Sequence, residues 1–145
     1  MLTIAFPAQA FDTNCYVLAA QAGEECIIVD PGIGVVETLR DVLTEHRLRP
    51  AAVLLTHGHV DHVYSVTPVC GADTAAYIHT DDRYRLHDLL GSSNPGLIAM
   101  LEQQFGAATT LVGSVHVAAA PTRLPTSIRT TATGSTTCSA AATPA

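Results

Sequence analysis

The chain has 145 residues, which is enough for one domain of ordinary size and too few for two. Hydrophobic residues make up 48% of it and charged residues 14%, so a sizeable core is expected and disorder throughout the chain is excluded. The net charge is −6 and there is no Lys, which excludes the basic surface that nucleic-acid binding requires.

No apolar run approaches the roughly 20 residues of a membrane-spanning helix, and the first residues lack the basic region of a secretory signal. The four cysteines (Cys15, Cys26, Cys70 and Cys138) form neither a CxxC pair nor a disulfide-rich pattern. These features predict a cytoplasmic protein with reduced, inert thiols and no membrane partner.

Short apolar runs separated by turn-forming residues predict an antiparallel meander at the N-terminus. The predicted strands are residues 2–6, 14–20 and 26–30. Asp30 stands before a Pro-Gly turn, where we expect its side chain to accept hydrogen bonds rather than to bind a metal.

Beyond the meander, segments with helical periodicity alternate with short apolar runs. The predicted helices are residues 34–48, 81–90 and 97–105, and residues 60–68 are predicted to form a short helix or a turn. The predicted strands are residues 51–55, 75–79 and 110–118. This alternation predicts a mixed α/β or α+β layered domain.

The composition changes near residue 118. All 13 Asp and Glu residues lie within residues 1–102, and the last 28 residues contain 8 Ala, 8 Thr and 3 Pro. Such a segment lacks the large side chains that build a core. We therefore predict an ordered domain over residues 1–117 and a disordered tail over residues 118–145.

Four side chains that can bind a metal follow the predicted strand 51–55: His57, His59, Asp61 and His62. Side chains two residues apart on an extended loop share a side, so His57 and His59 can hold one ion together. Asp61 and His62 come from the next turn of the chain and can bind a metal at an adjacent position. Imidazole and carboxylate ligands suit Zn²⁺ or another borderline divalent ion, so the segment predicts a metal site.

The segment Thr56-His57-Gly58-His59-Val60-Asp61-His62 resembles the His-x-His-x-Asp-His motif of the metallo-β-lactamase-fold hydrolases, in the form of the glyoxalase II (hydroxyacylglutathione hydrolase) branch. Further similar segments are Asn14-Cys15-Tyr16, Ile27-Ile28-Val29-Asp30-Pro31-Gly32 and Tyr77-Ile78-His79. The resemblance implies an α+β fold, the αββα metallo-β-lactamase sandwich, with the metals at one edge.

By the same resemblance, His57 and His59 would bind a first metal ion, and Asp61 and His62 a second. Asp61 would also orient the attacking water, which makes it the candidate catalytic residue. The implied cofactor is one or two Zn²⁺, with iron or manganese as alternatives. The implied reaction is attack by metal-bound hydroxide on a small-molecule thioester or similar carbonyl.

Members of the family complete the site with a third His, a bridging Asp and a last His from the second half of the domain. Here no carboxylate follows Glu102, and His116 is the only late histidine. We therefore expect the N-terminal half of such a hydrolase, followed by a tail that results from truncation. Half a sandwich leaves one sheet face uncovered, so a homo-oligomer is a further expectation.

Two other functions stay open. The chain could be a non-catalytic metal-binding domain, since it carries only the first ligand cluster, or an iron-dependent relative such as a persulfide dioxygenase. The identity of the bound metal would separate the iron-dependent dioxygenase from a zinc hydrolase. His79, at the end of a predicted strand, is expected to pack there rather than to bind the metal.

Overall fold

The computed structural model describes residues 1–70, 74–86, 95–105 and 117–120. The strands are β1 (Leu2–Pro7), β2 (Asn14–Ala19), β3 (Glu25–Val29), β4 (Arg49–Leu54), β5 (Ala75–His79) and β6 (Val117–Ala120). The α-helices are α1 (Val36–Glu45), α2 (Val60–Val63), α3 (Val66–Cys70) and α4 (Pro95–Phe105), and a 3-10 helix spans Thr80–Leu86. The predicted α+β fold class is confirmed.

The six strands form one sheet in chain order, β1 to β6. The first three strands pair antiparallel, as the predicted meander requires, and β3 to β6 pair parallel. The carboxyl ends of β3, β4 and β5 therefore meet at one edge of the sheet, together with the loop that joins β1 to β2. We call this edge, with residues 8–13, 30–34 and 55–62, the site edge.

The two faces of the sheet differ in burial. Side chains that face the helices are fully buried, and Val17, Ile28 and Val53 each have a relative exposure of 0%. The alternate positions of the same strands carry exposed apolar side chains, namely Tyr16, Ile27, Leu54 and Tyr77. Within the described residues there is one sheet, so the second sheet of the implied sandwich and the homo-oligomer stay predictions.

The segment predicted as a short helix or a turn, residues 60–68, holds two short helices, α2 and the start of α3. Ser65 lies between them, where its hydroxyl donates to the carbonyl oxygen of Gly32 at 2.6 Å and its backbone N–H donates to that of Pro31 at 3.0 Å. These bonds anchor the chain to the turn after β3, so a helix that ran on unbroken would lose them. No pattern in the sequence predicts this anchor.

The later elements also depart from their predicted bounds. Residues 81–90 are expected to form an α-helix, but Thr80–Leu86 form a 3-10 helix, and residues 87–90 lie outside the described part of the chain. The strand expected at 110–118 overlaps β6 at Val117 and Ala118, and residues 110–116 also lie outside the described part. Ala118, Ala119 and Ala120 pair with β5, although the predicted tail begins at residue 118. Backbone pairing needs no large side chain, so three alanines can extend a sheet. Residues 121–145 lie outside the described part of the chain, and the disordered tail stays a prediction.

No helix within the described ranges has the length and the apolar character needed to cross a membrane.

Candidate metal centre

All four predicted metal ligands lie at the site edge. The backbone leaves β4 after Leu54, and the N–H of Leu55 still donates to the carbonyl oxygen of Tyr77 in β5, at 2.8 Å. His57 and His59 follow on an extended loop, and Asp61 and His62 begin α2. The loop thus starts from a paired strand and ends in a helix, which limits the positions its side chains can take.

His57 and His59 bring two ring nitrogens together. Nε2 of His57 lies 3.0 Å from Nδ1 of His59, and the two rings meet edge to face. Two nitrogens bound to one tetrahedral zinc at about 2.0–2.1 Å would stand about 3.3–3.4 Å apart. The pair therefore needs to open by only a few tenths of an ångström to bind one ion.

Asp61 and His62 form a second pair beside the first. Oδ2 of Asp61 lies 3.5 Å from Nε2 of His62, and the His62 ring centroid is 4.0 Å from that of His57. This nitrogen–oxygen separation also matches two ligands of one ion. The two predicted pairs are therefore adjacent, and their donor types fit zinc or iron.

The carboxylate of Asp30 connects the two pairs through hydrogen bonds. Its side chain is buried and accepts hydrogen bonds from the backbone N–H of Thr56 at 2.8 Å and from the Thr56 hydroxyl at 2.6 Å. Nδ1 of His62 lies 3.0 Å from Oδ2 of the same carboxylate. Asp30 accepts hydrogen bonds as predicted, but its partners lie in the metal motif and not in its own turn.

These bonds decide which nitrogen of each ring is free. His62 donates from Nδ1 to Asp30, so its Nε2 keeps a lone pair that faces Asp61. The Thr56 hydroxyl gives its proton to Asp30, so its oxygen accepts from Nδ1 of His57, 3.0 Å away. Nε2 of His57 is then free to bind a metal. One buried carboxylate thus presets the tautomers of two predicted ligands.

Burial lowers the pKa of His57, and the neighbouring His62 and His59 rings lower it further. The neutral ring is the form that binds a metal, because a protonated imidazole has no free lone pair. The environment of His57 therefore favours the form that the predicted role requires.

Two glycines permit close contacts around the motif. A Cβ atom on Gly58 would lie 2.6 Å from Cβ of Arg85 in the 3-10 helix. A Cβ atom on Gly32, in the turn after β3, would overlap the backbone oxygen of Asp61. Neither contact could form with a larger residue, so both glycines are required for the packing of the site edge.

His79 departs from its prediction. Its side chain is 44% exposed at the carboxyl end of β5, where Nδ1 accepts a hydrogen bond from the backbone N–H of Asp81 at 3.3 Å. It is a strand-end residue, but it caps the start of the 3-10 helix instead of packing into the core.

The described residues contain no group of three or more His, Cys, Asp or Glu side chains arranged to hold one ion. The late histidine, His116, lies outside the described ranges. Each pair thus supplies two ligands, and the assignment of His57, His59, Asp61 and His62 as metal ligands stays a prediction. The sequence did not reveal that Thr13 and Asp30 contact Asp61 and His62, although the Asp-Pro-Gly turn was a visible signal for Asp30.

The chain is similar to known proteins in sequence and in fold. The family model described as "Metallo-beta-lactamase superfamily" matches residues 8–131. The chain belongs to the metallo-beta-lactamase superfamily. Members of this superfamily bind metal ions, and the two ligand pairs lie within the matched residues.

Two curated relatives illustrate where the likeness lies. An uncharacterized protein of Mycobacterium tuberculosis is 44% identical over 108 residues, which cover 72% of this chain and 47% of that protein. A protein of Blochmanniella pennsylvanica named hydroxyacylglutathione hydrolase is 47% identical over 45 residues, which cover 31% of this chain and 17% of that protein. The chain spans at most about half the length of these two relatives.

Two solved structures are similar in fold. The B3 metallo-beta-lactamase BLEG-1 aligns with a TM-score of 0.56 and 37% identity, over 66% of this chain and 46% of that one. TTHA1623, crystallised in a di-iron-bound form, aligns with a TM-score of 0.53 and 27% identity, over 63% of this chain and 45% of that one. Both likenesses support the metallo-beta-lactamase fold.

Proposed function

We propose that this chain carries the first ligand cluster of a metal-dependent hydrolase of the glyoxalase II type, which acts on a small thioester or a similar carbonyl compound. One observation carries the proposal: two adjacent pairs of predicted ligands lie at the carboxyl edge of the sheet, and the buried Asp30 presets the free nitrogens of His57 and His62. A surface cluster of histidines would need no such buried acceptor.

In this proposal the chain's own residues hold the metal ions and orient the attacking water. His57 and His59 would hold a first Zn²⁺ through Nε2 and Nδ1, and His62 a second through Nε2. Asp61 would share the second ion and direct the attacking water with its carboxylate. When bound, zinc supplies a Lewis acid that lowers the pKa of water towards about 7 and polarises the carbonyl.

The substrate class is supported by the relatives and by charge. The likeness to a hydroxyacylglutathione hydrolase covers 31% of the chain and supports a thioester of a small thiol. A net charge of −6 gives no support for a polyanionic polymer as substrate.

The test begins with metal content. Purified wild-type protein is analysed by plasma mass spectrometry beside a His57→Ala, His59→Ala double variant. The matched control is His46→Ala, which removes a histidine beyond the end of α1, at the opposite edge of the sheet. We expect zinc in the wild type and in the control, and its loss in the double variant.

A second step measures hydrolysis of a hydroxyacylglutathione thioester by the zinc-loaded protein. Hydrolysis that disappears with the double variant supports the proposal. Equal metal content in all three proteins would contradict the ligand assignment. Bound zinc without hydrolysis would instead favour the non-catalytic metal-binding domain, which supplies two ligand pairs only.

A second candidate rests on the di-iron-bound structure of TTHA1623, which shares 27% identity with this chain. If the purified protein carries iron in place of zinc, an oxidising reaction of the persulfide dioxygenase kind becomes the better proposal. Oxygen consumption in the presence of a persulfide distinguishes it from hydrolysis.

A further inference from the structure

We infer that Thr13 is a positioning residue that holds the carboxylate of Asp61 in place for metal binding, an inference that rests on the proposed function. The Thr13 hydroxyl donates to Oδ2 of Asp61 at 2.9 Å, in a part-buried contact between residues 48 positions apart. The same Oδ2 atom faces Nε2 of His62 at 3.5 Å. Thr13 therefore contacts the oxygen that completes the second ligand pair.

A carboxylate in this position needs such a partner. The last torsion of an Asp side chain has a broad preference, so the backbone of α2 does not fix the angle at which the Asp61 carboxylate faces His62. The side chain of Asp61 is 26% exposed, and α2 is a helix of only four residues. A hydroxyl donor selects one orientation and still leaves lone pairs of the carboxylate free for an ion.

The loop that carries Thr13 has a defined shape. The N–H of Ala8 donates to the carbonyl oxygen of Thr13 at 2.7 Å, and the N–H of Gln9 donates to that of Ile33 at 2.9 Å. Phe11 and Asp12 have left-handed backbones, with φ of 64° and 53°. This conformation is unfavourable for a residue with a Cβ atom, and above all for a large one such as Phe. It persists where neighbouring contacts determine the backbone, and here it brings the chain round to Thr13.

The β1–β2 loop is also packed close to α2, the helix that carries Asp61. A Cβ atom on Gly32 would meet both the backbone oxygen of Asp61 and, at 3.3 Å, Cβ of Ala8. The β1–β2 loop, the turn after β3 and the start of α2 therefore touch at one point. Thr13 adds a side-chain hydrogen bond between the loop and the carboxylate of Asp61 itself.

The experiment separates metal positioning from a merely structural bond. Thr13→Val keeps the side-chain shape and removes the hydroxyl, whereas Thr13→Ser keeps the hydroxyl. Metal-free protein is titrated with Co²⁺, which replaces zinc and reports its ligands through visible absorption bands, and zinc affinity follows by competition. Thermal unfolding of each metal-free variant reports the structural contribution.

We expect Thr13→Val to weaken the affinity for the ion held by Asp61 and His62 by about 10–100-fold, a typical effect of removing a group that orients a metal ligand. The visible absorption bands of its Co²⁺ complex should change. Thr13→Ser should match the wild type both in metal affinity and in these absorption bands. In an Asp61→Asn background, Thr13→Val should have no further effect on affinity.

Two results overturn the inference alone: a Thr13→Val variant that binds cobalt as the wild type does, or a Thr13→Ser variant that fails equally. Failure of the proposed function would give a different result, because the wild type itself would then bind no cobalt or zinc. That result overturns both.

Discussion

The site edge and the helix-covered face of the same sheet are stabilised in different ways. At the site edge, buried or part-buried polar atoms pair across 26 to 48 positions of sequence, as Asp30 does with Thr56 and Thr13 with Asp61. The helix-covered face is filled by apolar side chains such as Ile28, with a relative exposure of 0%. Apolar packing depends mainly on volume, whereas polar pairing depends on which atom stands at each position.

This difference has a practical consequence. A substitution that conserves shape should be tolerated on the helix-covered face and should damage the site edge. Variants in both regions test that contrast.

Asp30→Asn conserves shape but replaces one carboxylate oxygen with a donor. The NH₂ group would face the donors of Thr56 and His62, and hydrogen bonds to a charged acceptor would be lost. We expect the free energy of unfolding in urea to fall by about 3 kcal/mol. Zinc affinity, measured by competition, should fall by about 10–100-fold, because the tautomers of His57 and His62 lose their anchor.

The control for this variant is Asp41→Asn, which makes the same chemical change at an exposed position of α1. It should alter stability by less than about 0.5 kcal/mol and leave zinc affinity unchanged. If the two variants behave alike, the contrast between the regions is wrong.

Gly32→Ala adds one methyl group at the site edge, where it would overlap the backbone oxygen of Asp61. We expect a loss of about 1–3 kcal/mol in the free energy of unfolding, together with weaker zinc binding, because Asp61 must move. Gly23→Ala serves as control, since its Cβ atom would meet nothing within 4 Å, although its φ of +84° makes Ala unfavourable. Only Gly32→Ala should affect zinc, so an equal effect of both would refute the steric explanation.

Ile28→Val removes one methylene group from the helix-covered face. We expect a loss of about 0.5–1.5 kcal/mol in the free energy of unfolding, with zinc affinity unchanged. A marked fall in zinc affinity would show that the core and the site edge are coupled, against the comparison drawn above.

The buried thiols of the folded protein should not react with a thiol reagent. Burial, with a smaller contribution from the charge of Asp30, raises the pKa of Cys15 to about 12, and burial raises that of Cys70 to about 11. A raised pKa keeps each of these thiols protonated at pH 8. Burial also raises the pKa of the Cys26 thiol. In a Cys138→Ser variant, Ellman's reagent at pH 8 should label these cysteines only after unfolding in urea. Rapid labelling of the folded protein would place a reactive thiolate in the core.

Local patterns were enough to predict much of the fold. The meander, α1 and the strand before the metal motif follow from apolar runs and periodicity, which depend on neighbours a few residues away. The four predicted ligands could be named because they lie within six positions, 57 to 62. Boundaries were less certain, since contacts such as that of Ser65 with Gly32 end a helix for tertiary reasons.

The contacts that orient the ligands could not be predicted in this way. Thr13 and Asp61 are separated by 48 positions, and no periodic pattern connects them. Asp30 was visible as a turn residue, but its bond to His62 depends on the parallel pairing of β3 with β4. That pairing places the carboxyl ends of two strands side by side and joins the turn to the motif.

The sequence by itself therefore determined the fold class, the motif and the chemical type of ligand, because these depend on residue identity and short-range spacing. The tertiary structure decided which nitrogens are free, how the carboxylate of Asp61 is oriented towards His62 and which loop holds it. Those properties arise only when strands distant in sequence share one edge, where a buried acceptor such as Asp30 has to be satisfied by the donors that surround it.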